Sequence, residues 1–175
     1  MARTLRNITF VYVPREDRIL AAINAGMPEA WSLWVTRRLA LAVLERASDY
    51  LRSSSNLAQR APSEMRGELH AFEREAAIVK TAGAMSTTPP DVLQATASWA
   101  ELADRVGVAQ QGEHYQFELH GVSGDMAGGM LQRAELQRVL QMLHFEVGKA
   151  GWFSQPAAAP TAQGPAGGDP KPLRN

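Results

Sequence analysis

The chain contains no cysteine and no long apolar run. The missing cysteine excludes disulfide bonds, thiolate metal sites and cysteine nucleophiles, and it fits a reducing compartment. The first apolar stretch, residues 8–13, includes Thr9 and stops at Pro14, so it is too short for a secretory signal. A membrane-spanning helix needs about 18 apolar residues in succession, and the sequence has no such run. We therefore expect a cytoplasmic protein without a membrane partner.

The chain also lacks an excess of either charge, because 18 basic and 18 acidic side chains give a formal net charge of zero. Binding to a bulk polyanion through net charge is therefore not indicated. The charge is unevenly distributed: residues 1–60 contain nine arginines and five acidic residues, whereas residues 61–153 have an acidic excess. Two interpretations stay open, namely ordinary variation along a solvated surface, or a bipolar surface that steers self-association or docks an anionic partner.

Motifs for catalysis and cofactor binding are missing as well. The glycine-rich stretch 124–129 follows a predicted strand, but it lacks the lysine and the following helix of a phosphate loop. His114 and His120 share a strand face, yet about 20 Å of extended chain separates them, too far for one metal ion. The nucleophile motif Gly-x-Ser-x-Gly does not occur. We expect no metal site, no cofactor and no catalytic residue.

Three short segments near the N-terminus have the composition and alternation of strands. Residues 7–13 are β-branched and aromatic, and residues 18–24 and 30–35 follow after short turns. Together they predict an antiparallel meander. Thr36 is a typical helix N-cap, and the apolar period changes there from two to 3.6. The apolar face of this helix is expected to contain Ala40, Val43, Leu44, Ala47 and Leu51.

The middle of the chain, about residues 57–107, is predicted to be helical. Thr88 followed by Pro89 is typical of a helix start, since threonine caps well and proline fits the first turn. An apolar stripe at helical spacing continues to Val106, and Gly107 is expected to end this helix.

The C-terminal part repeats the order of strands followed by a helix. Residues 113–120 alternate cleanly, residues 126–131 predict a weaker strand, and a last helix follows. Shifting the first helix by 96 residues places its apolar positions on those of the last helix, and Arg37 on Arg133. The apolar face of the last helix is expected to contain Leu136, Val139, Leu140, Leu143 and Val147.

These patterns predict an α+β fold. Antiparallel strands at both ends of the domain bracket a helical middle, and an amphipathic helix ends it. The two strand-and-helix segments are either two ββα-type halves related by duplication or two amphipathic helices that match by chance. We expect a single domain over residues 4–153. Residues 154–175, rich in alanine, proline and glycine, are expected to form a disordered tail.

The most distinctive local sequence is Trp31 to Arg38. In a strand, Trp31 turns to one face and Trp34 to the other, while Arg37 and Arg38 stand at the helix start, where positive charge opposes the helix dipole. Tryptophan and arginine are enriched in protein interfaces, and the same pair stacks on single-stranded nucleic acid. Alternatively, both tryptophans are covered within the fold. The candidate binding residues are Trp34, Arg37, Arg38, Trp152 and Phe153.

We expect a non-enzymatic protein-interaction or scaffold module that self-associates, because anchor-type side chains are present and catalytic constellations are missing. The alternative is a weak single-stranded nucleic-acid binder that uses the basic N-terminal half. It predicts salt-sensitive binding. A third hypothesis is an enzyme of unrecognised type.

Overall fold

The computed structural model describes residues 1–54, 63–65, 67–68, 72, 75–76 and 97–153. This part of the chain contains strands and helices in an α+β arrangement, as expected from the sequence. The strands are β1 (Ala2–Thr4), β2 (Ile8–Val13), β3 (Arg18–Ile23), β4 (Trp31–Val35), β5 (Glu101–Gln111), β6 (His114–Gly121) and β7 (Met126–Gln132). The helices are α1 (Arg37–Ser53) and α2 (Arg133–Lys149), and Ser63–Met65 form a 3-10 turn.

All seven strands belong to one mixed sheet with the order β1-β7-β6-β5-β4-β3-β2. Strands β2, β3 and β4 form an antiparallel meander that leads into α1, and β5, β6 and β7 form a second one that leads into α2. The two meanders meet where β4 and β5 run parallel. Strand β1 adds to the far edge, parallel to β7.

The sheet curls strongly, because its two outer strands are neighbours in sequence. Three residues separate the end of β1 from the start of β2. They span at most about 14 Å, whereas the outer strands of a flat seven-stranded sheet would lie about 29 Å apart. The curl brings the Arg3 guanidinium of β1 to 4.9 Å from the ring centroid of Trp31 on β4.

Asn24 holds the connection between β1 and β2 in place. Its side-chain oxygen accepts the backbone N–H groups of Arg6 (2.8 Å) and Asn7 (3.2 Å), and its amide nitrogen donates to the Thr4 carbonyl at 2.8 Å. Asn24 is fully buried and has a φ of +52°, in the left-handed region that asparagine tolerates better than most residues. One buried side chain therefore satisfies the backbone of the crossing segment.

The hydrophobic core lies between the concave face of the sheet and the two helices. Inward residues of the strands alternate with outward ones, as with Phe117 between Gln116 and Glu118. Helix α1 starts at the Thr36 cap, whose hydroxyl accepts the N–H of Leu39 at 3.3 Å. The buried apolar residues of the helices are Ala40, Val43, Leu44, Ala47 and Leu51 in α1, and Leu136, Val139, Leu140, Leu143 and Val147 in α2.

Two features differ from the sequence-based expectations. Residues 101–107, expected to end a helix, belong to strand β5, so the helical middle cannot extend to residue 107. Strand β1 was not predicted at all. The predicted helix start at Thr88 and the predicted tail 154–175 lie outside the described residues. In the described part of the chain, no helix has the length and apolarity needed to cross a membrane.

Candidate functional site

Trp34 lies on the convex face of the sheet, away from the helices. Its neighbours Leu33 and Val35 belong to the core, so alternation along β4 sends the Trp34 side chain to the opposite face. It stands in register with Leu20 of β3 and Leu102 of β5. Leu20 is 2% exposed and Leu102 is 38% exposed, and Trp34 is half-buried between them. Trp34 is therefore neither a core residue nor a freely exposed one.

The two arginines that follow Trp34 have different surroundings. Arg37 opens α1, and its guanidinium donates to the backbone carbonyl of Trp152 at 3.3 Å. Arg38 is exposed. The structure thus joins Arg37 to the C-terminal end of the domain and leaves Arg38 facing solvent.

Trp152 and Phe153 are adjacent in sequence but differ in burial. Trp152 is 3% exposed; its indole N–H donates to Asp17 at 3.2 Å, and its ring meets Tyr12 edge-on with centroids 5.7 Å apart. Phe153 is 50% exposed, and its ring centroid lies 4.7 Å from that of His144. Trp152 therefore anchors the end of α2 to the β2–β3 hairpin, and Phe153 is the member of the pair available at the surface.

Strand β5 has an edge that is open over much of its length. The strand has 11 residues, but β4 pairs with it only at Glu101 and Leu102, because the chain turns away into α1 after Val35. Beyond that point β6 pairs with one side of β5. No other strand in the described part of the chain pairs with the second side.

The open edge presents backbone groups of Val106 and Val108. Along an antiparallel strand, successive residues direct their N–H and C=O groups to opposite sides. The N–H of Gln110 donates to the Tyr50 hydroxyl of α1 at 2.6 Å, on the side away from β6. Val106 and Val108 have the same parity as Gln110, so their backbone groups point to the same side. Within the described residues, these backbone groups have no hydrogen-bond partner.

A groove of about 550 Å³ runs between this open edge and α1. Such a volume is within the usual range of ligand-binding clefts. Most of its lining is apolar, with three charged side chains at its rim. The lining residues are Leu39, Ala42, Val43, Arg46, Ala47, Tyr50, Asp104, Arg105, Val106, Gly107 and Val108.

The charged side chains of the groove are Arg46, Asp104 and Arg105. All three are exposed, and no ion pair joins any of them to a described residue. Two guanidinium groups and one carboxylate line the groove, so its rim carries a net positive charge.

The edge strand β2 also has a helix contact on its outer side, at Tyr12. The N–H of Tyr12 donates to the Glu146 carboxylate of α2 at 2.8 Å, and Lys149 contacts the second oxygen of that carboxylate at 2.7 Å. Glu146 is 6% exposed. Covering an edge strand with a helix is a common protection against unwanted strand pairing.

A second, smaller cleft of about 260 Å³ lies between α1 and α2. Arg133 borders it and donates to the Leu51 carbonyl (2.8 Å), the Tyr115 hydroxyl (3.0 Å) and the Ser54 hydroxyl (3.2 Å). These bonds join the start of α2 to the end of α1. Arg133 therefore has a structural role between the helices.

Among the described residues, two titratable groups have shifted pKa values, and both lie outside the groove. Partial burial raises the pKa of the Tyr12 phenol, and the hydrogen bond to Asp17 at 3.0 Å raises it further. The N-terminal ammonium of Met1, and then Arg3, lower the pKa of Asp125. Among the described residues, no group of three or more His, Asp or Glu side chains is arranged to hold a metal ion.

Comparison of the chain with models of protein families, with the curated proteins and with the solved structures found no match.

The groove was missed at the level of sequence, because residues up to Val106 were assigned to a helix that ends at Gly107. The strand signal was present in Val106-Gly-Val108, where two β-branched residues share one face around a glycine. Glycine inside a strand often marks a close approach of another backbone. The roles in binding expected for Trp34, Arg37, Arg38, Trp152 and Phe153 stay predictions.

Proposed function

We propose that this protein is a non-enzymatic protein-interaction module that takes up an extended segment of a partner protein as an added strand. The observation that carries the proposal is the open edge of β5 at Val106 and Val108, which faces a groove beside α1. Strand addition to an exposed edge is an established mode of peptide recognition: backbone hydrogen bonds supply affinity and flanking side-chain sites supply specificity.

The geometry at β4 supports this mode of binding. Strand β4 runs parallel to β5 and ends at Val35, so no described strand lies beside β5 from Ala103 onward. A partner segment there would continue the line of β4 and meet the four backbone groups of Val106 and Val108 that have no partner among the described residues. The Tyr50 hydroxyl already occupies the N–H of Gln110 and marks the far end of the available edge.

We also propose that the two meander-and-helix units are copies of one ββα-type unit, each extended by a third strand. The 96-residue offset relates the buried apolar positions of α1 to those of α2, and it relates Tyr50 to Glu146. Each of these two side chains binds an edge N–H on the first strand of the other unit, at Gln110 and Tyr12. The duplication explains why the two contacts lie at equivalent positions. The side chains differ, since α2 supplies the buried carboxylate of Glu146 and α1 supplies the hydroxyl of Tyr50.

The test is selection of peptides from a random displayed library against the full chain, with the Val108→Pro variant as a parallel target. Proline removes the outward N–H of residue 108, whereas the ladder bonds of Gly107 and Ala109 to β6 are kept. Val108→Thr keeps the N–H and the branched shape, and it is the matched control. Circular dichroism shows that each variant is folded.

Peptides that bind the wild type and Val108→Thr but not Val108→Pro would support the proposal. Selected peptides that bind all three proteins equally, or a library that yields no binder, would overturn it. In the self-association expected from the sequence, a second copy of this chain would supply the added strand. A dimer in native mass spectra that Val108→Pro abolishes would identify that occupant.

A further inference from the structure

Resting on the proposed function, we infer that the groove recognises a net-acidic extended segment with small apolar side chains at two alternate positions. At this site, the chemistry of the bound segment is set by the side chains that line each face of the strand position beside β5 and by the charges at the rim of the groove.

The alternation follows from strand geometry. Residues opposite each other on neighbouring strands point to the same face of a sheet. Val106 and Val108 point inward and pack against the core, so partner residues opposite them also point inward, toward α1. The helix lines that space with Leu39, Val43 and Tyr50 as well as with two alanines, Ala42 and Ala47, which leave the most room. Short apolar side chains fit opposite the alanines, whereas polar ones would lose hydration without gaining partners.

The residue between the two apolar positions has no such restriction. It lies opposite Gly107 and points to the convex face, where β5 has no side chain. The nearest side chain around Gly107 is that of Glu118 on β6, at 3.6 Å from a Cβ built on the glycine. The central residue of the segment is therefore free in size and covers the bare backbone at Gly107.

The preference for acidic residues follows from the rim. Arg46 of α1 and Arg105 of β5 stand on the two sides of the groove with Asp104, and none of the three is in an ion pair with a described residue. Complementary charges at an interface rim raise association rates and reject like-charged partners. Acidic residues flanking the apolar pair would neutralise the two arginines.

The experiment compares three fluorescein-labelled nonapeptides by fluorescence polarisation with the full chain. The acidic peptide has the sequence Glu-Asp-Ser-Val-Tyr-Val-Ser-Asp-Glu. The second replaces its four acidic residues by the matching amides. The third keeps the charges and replaces both valines by serine.

We expect the acidic peptide to bind at least about fivefold more tightly than each of the other two at low salt. Removing one exposed charge pair lowers binding affinity about two- to fivefold. The Arg46→Glu/Arg105→Glu variant should therefore abolish the preference for the acidic peptide over the amide peptide. Higher salt should weaken the acidic peptide more than the amide peptide. Arg15→Glu, a charge reversal in the turn between β2 and β3 and outside the groove lining, is the control and should keep the preference.

Equal binding of the acidic and amide peptides would overturn the charge preference, and equal binding of the valine and serine peptides would overturn the alternation. If none of the three binds, the inferred chemistry is wrong. The proposed function is judged separately by the library selection, in which binders of another composition that depend on the N–H of residue 108 would leave it standing.

Discussion

The backbone N–H of Tyr12 donates to the carboxylate of Glu146, 134 residues later in the chain, at 2.8 Å. This bond joins the outer strand β2 to helix α2 and occupies an edge donor that would otherwise pair with another strand. The corresponding contact in the other unit is the bond from the N–H of Gln110 to the neutral hydroxyl of Tyr50. The groove between α1 and the β5 edge at Val106 and Val108 is the basis of the proposed function.

Replacing Glu146 with alanine should destabilise the fold. The carboxylate is buried and satisfies the Tyr12 N–H, and leaving a buried donor without its partner costs about 1–3 kcal/mol. Glu146→Gln keeps an acceptor for the Tyr12 N–H, so it should lose less stability than Glu146→Ala. Urea unfolding measures both, with the exposed Glu45→Ala on α1 as the control, expected to change stability by less than about 0.5 kcal/mol. An equal effect of the Glu45 and Glu146 changes would contradict the role given to Glu146.

Trp152 and Phe153 should differ sharply when each is replaced with alanine. Trp152 is buried against Tyr12 and Asp17, and removal of a buried tryptophan side chain costs about 3–5 kcal/mol. Phe153 is half-exposed, so Phe153→Ala should cost less than about 1 kcal/mol. Denaturant unfolding of the two variants decides the point. A larger loss for Phe153 would show that the end of the domain packs differently.

The connection between β1 and β2 should depend on Asn24. Asn24→Ala removes all three side-chain hydrogen bonds to the crossing segment and places alanine, which tolerates the left-handed region less well than asparagine, at a φ of +52°, with an expected loss of about 2–4 kcal/mol. Asn24→Gly also loses the bonds but relieves the backbone strain, so it should be the milder change. Thermal unfolding compares the two. Alanine and glycine variants of equal stability would show that the left-handed conformation carries no cost here.

The pKa of the Tyr12 phenol should lie above the usual value for tyrosine, which is about 10. Burial is the largest single cause, and the hydrogen bond and the charge of Asp17 add to it, so Asp17→Asn should lower the pKa of Tyr12 without restoring it fully. Because the pKa of Tyr12 is raised in the folded state, its neutral form contributes to the free energy of unfolding. This contribution is complete below about pH 10 and is lost as the pH rises through the pKa of the folded protein. Absorbance at alkaline pH follows the titration, and a pKa of Tyr12 that Asp17→Asn leaves unchanged would disprove the contribution of the carboxylate.

Asp125 should make stability depend on pH in the acid range. Its pKa is lowered by the N-terminal ammonium and by Arg3, so its stabilisation is present above the pKa of the unfolded chain, about 3.9, and is lost as the pH falls through the folded pKa. The difference in urea stability between the wild type and Asp125→Asn should therefore shrink on acidification. Glu45→Gln, at an exposed position on α1 that forms no ion pair with a described residue, is the control. A pH-independent difference would contradict the lowered pKa.

The sequence alone determined those features that depend on local periodicity. The positions of β2 to β4, the alternation of β6, the Thr36 cap, and the face of each helix that is buried were all readable, because each follows from the geometry of one element. Alternation along β4 also placed Trp31 and Trp34 on opposite faces, and the tertiary structure decided that Trp31, at 7% exposure, is the one in the core.

The tertiary structure alone decided the identity of the outer strands, the burial of Trp152 and the position of the groove. Residues 101–107 have apolar spacing compatible with a helix, and pairing with β6 selected the strand instead, because pairing supplies backbone hydrogen bonds that the local pattern does not encode. The open edge at Val106 and Val108 exists because β4 turns away into α1 after two paired residues. Such an edge is a relation between distant segments, so no local pattern in the sequence specifies it.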